Sequence, residues 1–299
     1  SYRMFPRLIA ELEEETGINT AFQSCPALRL ALDQSEVDLI KNLMAWQGKI
    51  VPIEWLSTTE VLKLEPRLSA TILGAAYEPV SSQLDSYKFT LALATGAELH
   101  GARIVFREVK GLIATGDQVQ GVNTDQGQIL AGHTILSPGA WSFNFSKWLD
   151  WPIPVRPLKG ERLLLKFLGR PLDIFISSPG RGHMISLANS IISVGSTGGR
   201  DYDNQESFMG IDFDRVPTSE AKLDLLQRAI DVFPGLNDAL VVDHLSGSRP
   251  LSADRLPIIG PIPGWQNVFL ATGHGTKGVH LAPITGLVTS ALIMDCLLY

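Results

Sequence analysis

The run from Asn267 to Leu298, NVFLATGHGTKGVHLAPITGLVTSALIMDCLL, constrains this chain more than any other. Val268-Phe269-Leu270-Ala271 is a short apolar run of the kind a buried strand uses. It leads into Gly273-His274-Gly275-Thr276-Lys277-Gly278 and then into a long apolar stretch of helical character. Strand, glycine turn and helix, in that order, set bare backbone N–H groups and the positive end of a helix against an anionic or electron-rich ligand. The glycines spell G-x-G-x-x-G, the first turn of a dinucleotide fold. That signature needs a second strand with an acidic residue about 20 positions later. Here Asp295 falls on the expected helix itself, so a ligand turn of another kind is expected.

A chain of 299 residues, 45% hydrophobic and 19% charged, has material for one large domain or two ordinary ones with a sizeable core. A net charge of −6 and the lack of any Lys/Arg run argue against a nucleic-acid partner. The two cysteines, Cys25 and Cys296, are too few for a disulfide framework and lack metal-ligand spacing. They fit a reducing compartment, the cytoplasm or an organelle stroma. The opening SYRMFPRLIAELEEETG reads as an amphipathic helix rather than a secretory signal. The C-terminal apolar stretch carries His280, Pro283, Thr285, Gly286, Thr289 and Asp295, which favours a buried helix over a membrane span.

In chain order, Phe5, Leu8, Ile9 and Leu12 mark a helical face closed by Gly17. Ala27–Leu32 reads as a strand. Ser35 with Asp38, and Ser57 with Glu60, read as caps of two further helices. A helix is expected from Asp85 to Leu99. The period then changes, with strands expected at Ile104–Arg107, Lys110–Ala114, Val119–Thr124, Ile129–Ala131 and His133–Ser137. A second β-rich region follows at Arg162–Phe167, Ile174–Ser177, Met184–Leu187 and Ile191–Val194. Thr218 caps a helix with Leu223, Leu226, Ile230 and Phe233 on one face. Val241–His244 reads as a strand, and PIIGPIPG as a connection. The fold class is α/β (α+β): one domain built from separated segments, with a second inserted.

GAWS (139–142), PLKGER (157–162), SRPLSADRLPIIG (248–260) and FLATGHGTKGVHLAPITG (269–286) together resemble the D-amino-acid oxidase superfamily. These FAD-dependent amine oxidoreductases include glycine oxidase, sarcosine oxidase and the D-amino-acid dehydrogenases. The resemblance covers essentially the whole chain. It implies a Rossmann-like FAD-binding domain over 1–20, 82–152 and 247–299, and an antiparallel-sheet substrate domain over 21–81 and 153–246. The family begins with a strand, a G-x-G-x-x-G turn and a helix that hold the FAD pyrophosphate. The sequence in hand is expected to start after that βαβ segment.

The resemblance maps the family's carboxylate-binding arginine, in a G-x-R-P motif, onto Arg249. A planar guanidinium forks onto a carboxylate, whereas a structural ion pair would be the ordinary role for such a residue. The cofactor-binding positions it implies are Val109, Gly139, Trp141, Gly247 and the turn Gly273, His274, Gly275, Thr276, Lys277 and Gly278. Backbone N–H groups of that turn would stabilise negative charge on the flavin, and Lys277 would add a cation. Two departures stand out. Glycine oxidases carry an arginine where Thr276 stands, and a substrate tyrosine near His183 and Met184, where this sequence has none. His183 and Met184 are the candidates for a substrate pocket, which Phe175 and Trp55 could also line, with core packing the more ordinary role for Phe175, Met184 and Trp55. No metal site is expected.

The activity implied is FAD-dependent oxidative deamination of a small amino acid or secondary amine, with oxygen or a quinone accepting the electrons. A D-amino-acid dehydrogenase feeding a quinone and a flavin-free binding or assembly subunit are the rivals; homo-oligomerisation stays open.

Overall fold

The computed structural model describes residues 1–197 and 215–294, so Asp295 and Cys296 lie outside the described residues. Helix α1 (Phe5–Thr16) ends on Gly17, whose φ of 69° is the left-handed cap that glycine takes without strain. After β1 (Gln23–Ser24) and β2 (Ala27–Ala31) comes α2 (Gln34–Gln47). Its cap is Asp33, whose carboxylate accepts the Glu36 amide, and the Ser35 hydroxyl expected in that role donates to Asp33 instead. Asp33 has the extended backbone a cap requires.

β3 (Glu54–Ser57) runs into α3 (Thr58–Leu64) through the expected Ser57/Glu60 capping box. β4 (Gly74–Glu78), β5 (Ser82–Gln83) and α4 (Ser86–Leu99) follow. The antiparallel meander of β6 (Val109–Thr115), β7 (Gln118–Thr124) and β8 (Gly127–Leu130) is next. Ile104–Arg107, expected as a strand, joins no ladder, and Phe106 stands 88% exposed. An apolar run becomes a strand only where a neighbour satisfies its backbone.

β9 (Thr134–Leu136), α5 (Ser146–Leu149), β10 (Val155–Lys166), β11 (Phe175–Ser178), β12 (Gly182–Leu187) and β13 (Ile191–Gly195) lead to α6 (Ser219–Val232), which Thr218 caps. The chain closes with β14 (Leu240–Ser252), β15 (Ile258–Pro261), β16 (Val268–Thr272) and α7 (Gly278–Ile293). PIIGPIPG, read as a connection, thus contains β15, antiparallel to β16.

An eight-stranded sheet of order β14-β10-β13-β12-β11-β2-β4-β3 dominates the molecule. Its neighbours are antiparallel except β11 and β2. One face is apolar: Leu28, Leu30, Leu163, Leu165, Ile176, Ile192 and Val194 pack with Leu225, Ala229, Val232 and Phe233. Each such fully buried side chain stabilises the fold by roughly 1.5–3 kcal/mol. Leu223, expected on the packed face of α6, is 68% exposed, because Leu225, Ala229 and Val232 make that contact. The other face is covered at the β2–β4 end by α2, through Ala31, Val37, Ile40 and Ala76.

A smaller sheet, β15-β16-β9, has β16 parallel to β9. Among the described residues no helix is long and apolar enough to cross a membrane.

Candidate active site

Parallel pairing of β9 with β16 puts the two loops that follow them at the same end of the small sheet. In an open α/β sheet, ligands sit at the carboxyl ends of such strands. Each loop carries a glycine in a left-handed conformation, Gly139 at φ 57° and Gly273 at φ 78°. The Ser142 hydroxyl donates to the Gly139 carbonyl at 2.6 Å and lies 2.6 Å from the Thr272 hydroxyl, tying the two loops together in the interior.

Gly139 and Gly247 have nothing within 4 Å of the position a Cβ would take, so they leave open space where a ligand can approach the backbone. Gly273 is tight instead, with Ser252 Cβ 3.2 Å from that position.

The expected turn residues fall into two groups. Thr276, Lys277 and Gly278 are exposed where α7 begins, and the Lys277 amide donates to the His274 carbonyl at 2.8 Å. His274 does not face outward: its Nε2 lies 2.9 Å from the Thr285 hydroxyl on α7, and burial lowers its pKa. Trp141 is 45% exposed, with the Arg215 guanidinium 4.8 Å from its ring centre. Val109 stands at the start of β6, opposite Thr124.

β14 carries the large sheet up to this turn. Leu251 forms a bridge with His274, and the Ser252 hydroxyl donates to the Gly273 carbonyl at 3.3 Å. Leu251 Cδ1 reaches within 4.0 Å of the Cβ position on Gly275, so that face of β14 looks onto the turn. Arg249 lies two residues back along the strand and therefore on the same face. Its motif looks like a turn, yet it is inside a 13-residue strand and pairs with Leu158 on β10. The guanidinium lies over Gly160: a Cβ there would stand 1.8 Å from Nη1 and 2.2 Å from Cζ. Nη1 donates to the Thr197 carbonyl at 3.2 Å. Lys159-Gly160 sits on β10, an interior strand of the large sheet.

The same face carries Arg162 and His183. Arg162 is in register with Gly195, and Gly195 with His183. His183 has its pKa pushed down to about 4 by burial first, then by the charges of Arg249 and Arg162. Its ring stacks on Phe175 with centroids 5.9 Å apart.

Met184 points the other way, 3% exposed in the apolar core, and is no part of this face. One residue of offset reverses the face in a strand. Trp55 packs with the α2 cluster, with Lys41 Nζ 4.9 Å from its ring centre. Arg162, Gly160 and Gly195 were not singled out as site residues from sequence; the cross-strand register that unites them is not local. No group of three His, Cys, Asp or Glu capable of holding a metal occurs among the described residues.

The family model for FAD dependent oxidoreductases, DAO, matches residues 1–292. The chain belongs to the DAO family. It is 29% identical over 296 residues to the glycine oxidase of Geobacillus kaustophilus (strain HTA426), covering 98% of this chain and 76% of that protein. It is 31% identical over 290 residues to the glycine oxidase of Pseudomonas aeruginosa PAO1 (95% and 74%), and 30% identical over 295 residues to the D-amino acid dehydrogenase of Rhizorhabdus wittichii (96% and 68%). The crystal structure of glycine oxidase from Geobacillus kaustophilus superposes with a TM-score of 0.89 at 27% identity, covering 99% of this chain and 78% of that one.

The mixed α/β architecture with antiparallel sheets is thus that of glycine oxidase, and as a DAO-family protein it is an oxidoreductase with FAD as cofactor. The residues present fit that group where they can be tested, at the bare backbone of Gly139 and Gly247 and at the exposed start of α7.

Proposed function

We propose that this protein oxidises a small amino acid or secondary amine, with Arg249 holding the substrate's α-carboxylate. The observation that carries the reading is the placement of Arg249: its guanidinium lies flat over Gly160 on the face of β14 that abuts the Gly273–Gly278 turn. FAD, when bound, supplies the acceptor for the hydride that leaves the substrate Cα. Arg249 offers two parallel N–H groups to the carboxylate and fixes the orientation of the Cα–H bond. Backbone N–H groups at the start of α7, with the helix dipole behind them, favour negative charge beside the turn.

His183 and His274 both have lowered pKa values and are neutral near pH 7. Neither supplies a cation there, and a substrate that arrives as the neutral amine needs no protein base. The two-electron oxidation leaves an imine, which water hydrolyses to the oxo acid and the amine or ammonia. On this reading residues 1–20, 82–152 and 247–299 hold the cofactor, while 21–81 and 153–246 hold the substrate.

The test is anaerobic titration of the FAD-loaded protein with a panel of amino acids and secondary amines, followed by reoxidation with either oxygen or a quinone. Bleaching of the flavin absorbance by an amino acid supports the reading, and the acceptor that restores the colour separates oxidase from dehydrogenase. A flavin that no member of the panel bleaches would overturn it in favour of a binding role.

A further inference from the structure

Arg249 shares its face of the large sheet with Arg162 on β10. Arg162 lies two residues beyond Gly160 on β10, so its side chain leaves the same face about 7 Å further along. It is exposed, and it makes no ion pair or side-chain hydrogen bond among the described residues. Acidic side chains nearby are engaged elsewhere. Glu161 points to the opposite face, where its carboxylate accepts the Thr218 amide at 2.9 Å and lies 2.9 Å from His244 Nε2. Asp243 shares the Arg162 face, opposite Leu164, and accepts the His244 amide at 2.8 Å.

Between Arg162 and His183 the sheet carries only Gly195. A Cβ on Gly195 would stand 3.2 Å from Arg162 Cβ, 3.2 Å from His183 Cε1 and 3.3 Å from its Nε2. The imidazole therefore leans over a bare stretch of strand toward the guanidinium. Phe175, stacked on the far side of the ring, backs it there. The bare strand at Gly160 and Gly195 thus lets Arg249, Arg162 and His183 gather on one face of the sheet. The charges of Arg249 and Arg162 both bear on the one imidazole, which places the three groups within electrostatic reach of one another. A substrate with one carboxylate engages Arg249 and leaves Arg162 unused.

We infer that Arg162, with His183 beside it, takes a second acidic group of the substrate, so that the substrates of this site are amino acids or secondary amines bearing two carboxylates. The inference rests on the proposed role of Arg249. An anionic group beside Arg162 would pair with its guanidinium, and the neutral imidazole can donate a hydrogen bond to it. Arg162 and His183 act as specificity residues and touch no reacting atom.

The experiment compares FAD-loaded wild type with Arg162→Ala and Arg162→Lys on D-aspartate, D-glutamate and iminodiacetate against glycine and D-alanine. The wild type is expected to favour the dicarboxylates at least tenfold in kcat/KM. Arg162→Ala should erase that preference, chiefly through KM, and Arg162→Lys should restore part of it.

A second readout does not depend on turnover: titration of the flavin spectrum with succinate against acetate, and of the His183 imidazole by NMR. Succinate should bind more tightly than acetate and raise the His183 pKa in wild type, and do neither in Arg162→Ala. If no amino acid reduces the flavin, the oxidase reading fails while the succinate titration still decides this inference. Equal binding of succinate and acetate, or an equal fall for both substrate classes in Arg162→Ala, would overturn it.

Discussion

The guanidinium of Arg249 occupies the space that any side chain on Gly160 would need, since a Cβ there would fall 1.8 Å from Nη1 and 2.3 Å from Nη2. The two residues sit on adjacent antiparallel strands, β14 and β10, one register step apart along the face. The absence of a side chain on β10 is therefore what lets the arginine lie flat beside the turn.

Gly160→Ala follows directly. What gives way is the far end of a flexible side chain, not backbone. The fold should hold, with a change in stability within about 1 kcal/mol. Substrate oxidation should fall by about 10–100-fold in kcat/KM, because the displaced fork no longer meets the carboxylate squarely. Thermal unfolding and steady-state kinetics on one preparation check both halves; a variant that unfolds, or one that keeps full activity, contradicts the account.

Gly273→Ala is expected to behave in the opposite way. Here φ is 78° and the new Cβ would meet Ser252 Cβ at 3.2 Å and Val155 Cγ2 at 3.4 Å, both within packed structure. A left-handed alanine with nowhere to move should destabilise the protein by about 1–3 kcal/mol. Urea unfolding measures it, and an unshifted midpoint would show that the loop relaxes freely.

His183 gives a pH dependence of known sign. Its pKa is about 4 in the folded chain against an ordinary value of 6.5. The unfolded chain therefore takes up the proton first as pH falls. Stability is full above pH 6.5, declines between 6.5 and 4, and by about pH 4 this residue alone accounts for a loss on the order of 2–3 kcal/mol. His183→Asn should show a smaller loss over the same window. Urea unfolding at pH 7 and pH 4.5 in both proteins settles it, and identical pH slopes would contradict the assignment.

The sequence carried the local devices well. The Gly17 cap, the Ser57/Glu60 box, the Thr218 cap and the strand–turn–helix from Val268 are all set by neighbours in the chain, and all are present. It failed where pairing partners are distant. Ile104–Arg107 has the composition of a strand but no ladder, while Ile258–Pro261 looks like a connection and is a strand because β16 supplies its partner.

The site divides along the same line. Arg249 stood out as a candidate through its motif. Gly160, Gly195 and Arg162 did not, because their meeting depends on the register of β14, β10, β13 and β12 across roughly a hundred residues of chain. His183 and Met184 differ by a single position, and only the pleat reveals that one faces the Arg162 side of the sheet and the other the core.

The central claim is that Arg249 anchors an α-carboxylate. It is tested most directly by the rate of anaerobic flavin reduction in wild type and Arg249→Ala, each with an amino acid and with its uncharged methyl ester. Loss of the bidentate contact should cost the acid about 2–4 kcal/mol in kcat/KM, with the ester losing far less. Arg249→Lys should recover only part of the difference, because an ammonium cannot fork. An equal fall for the acid and its ester would contradict the account.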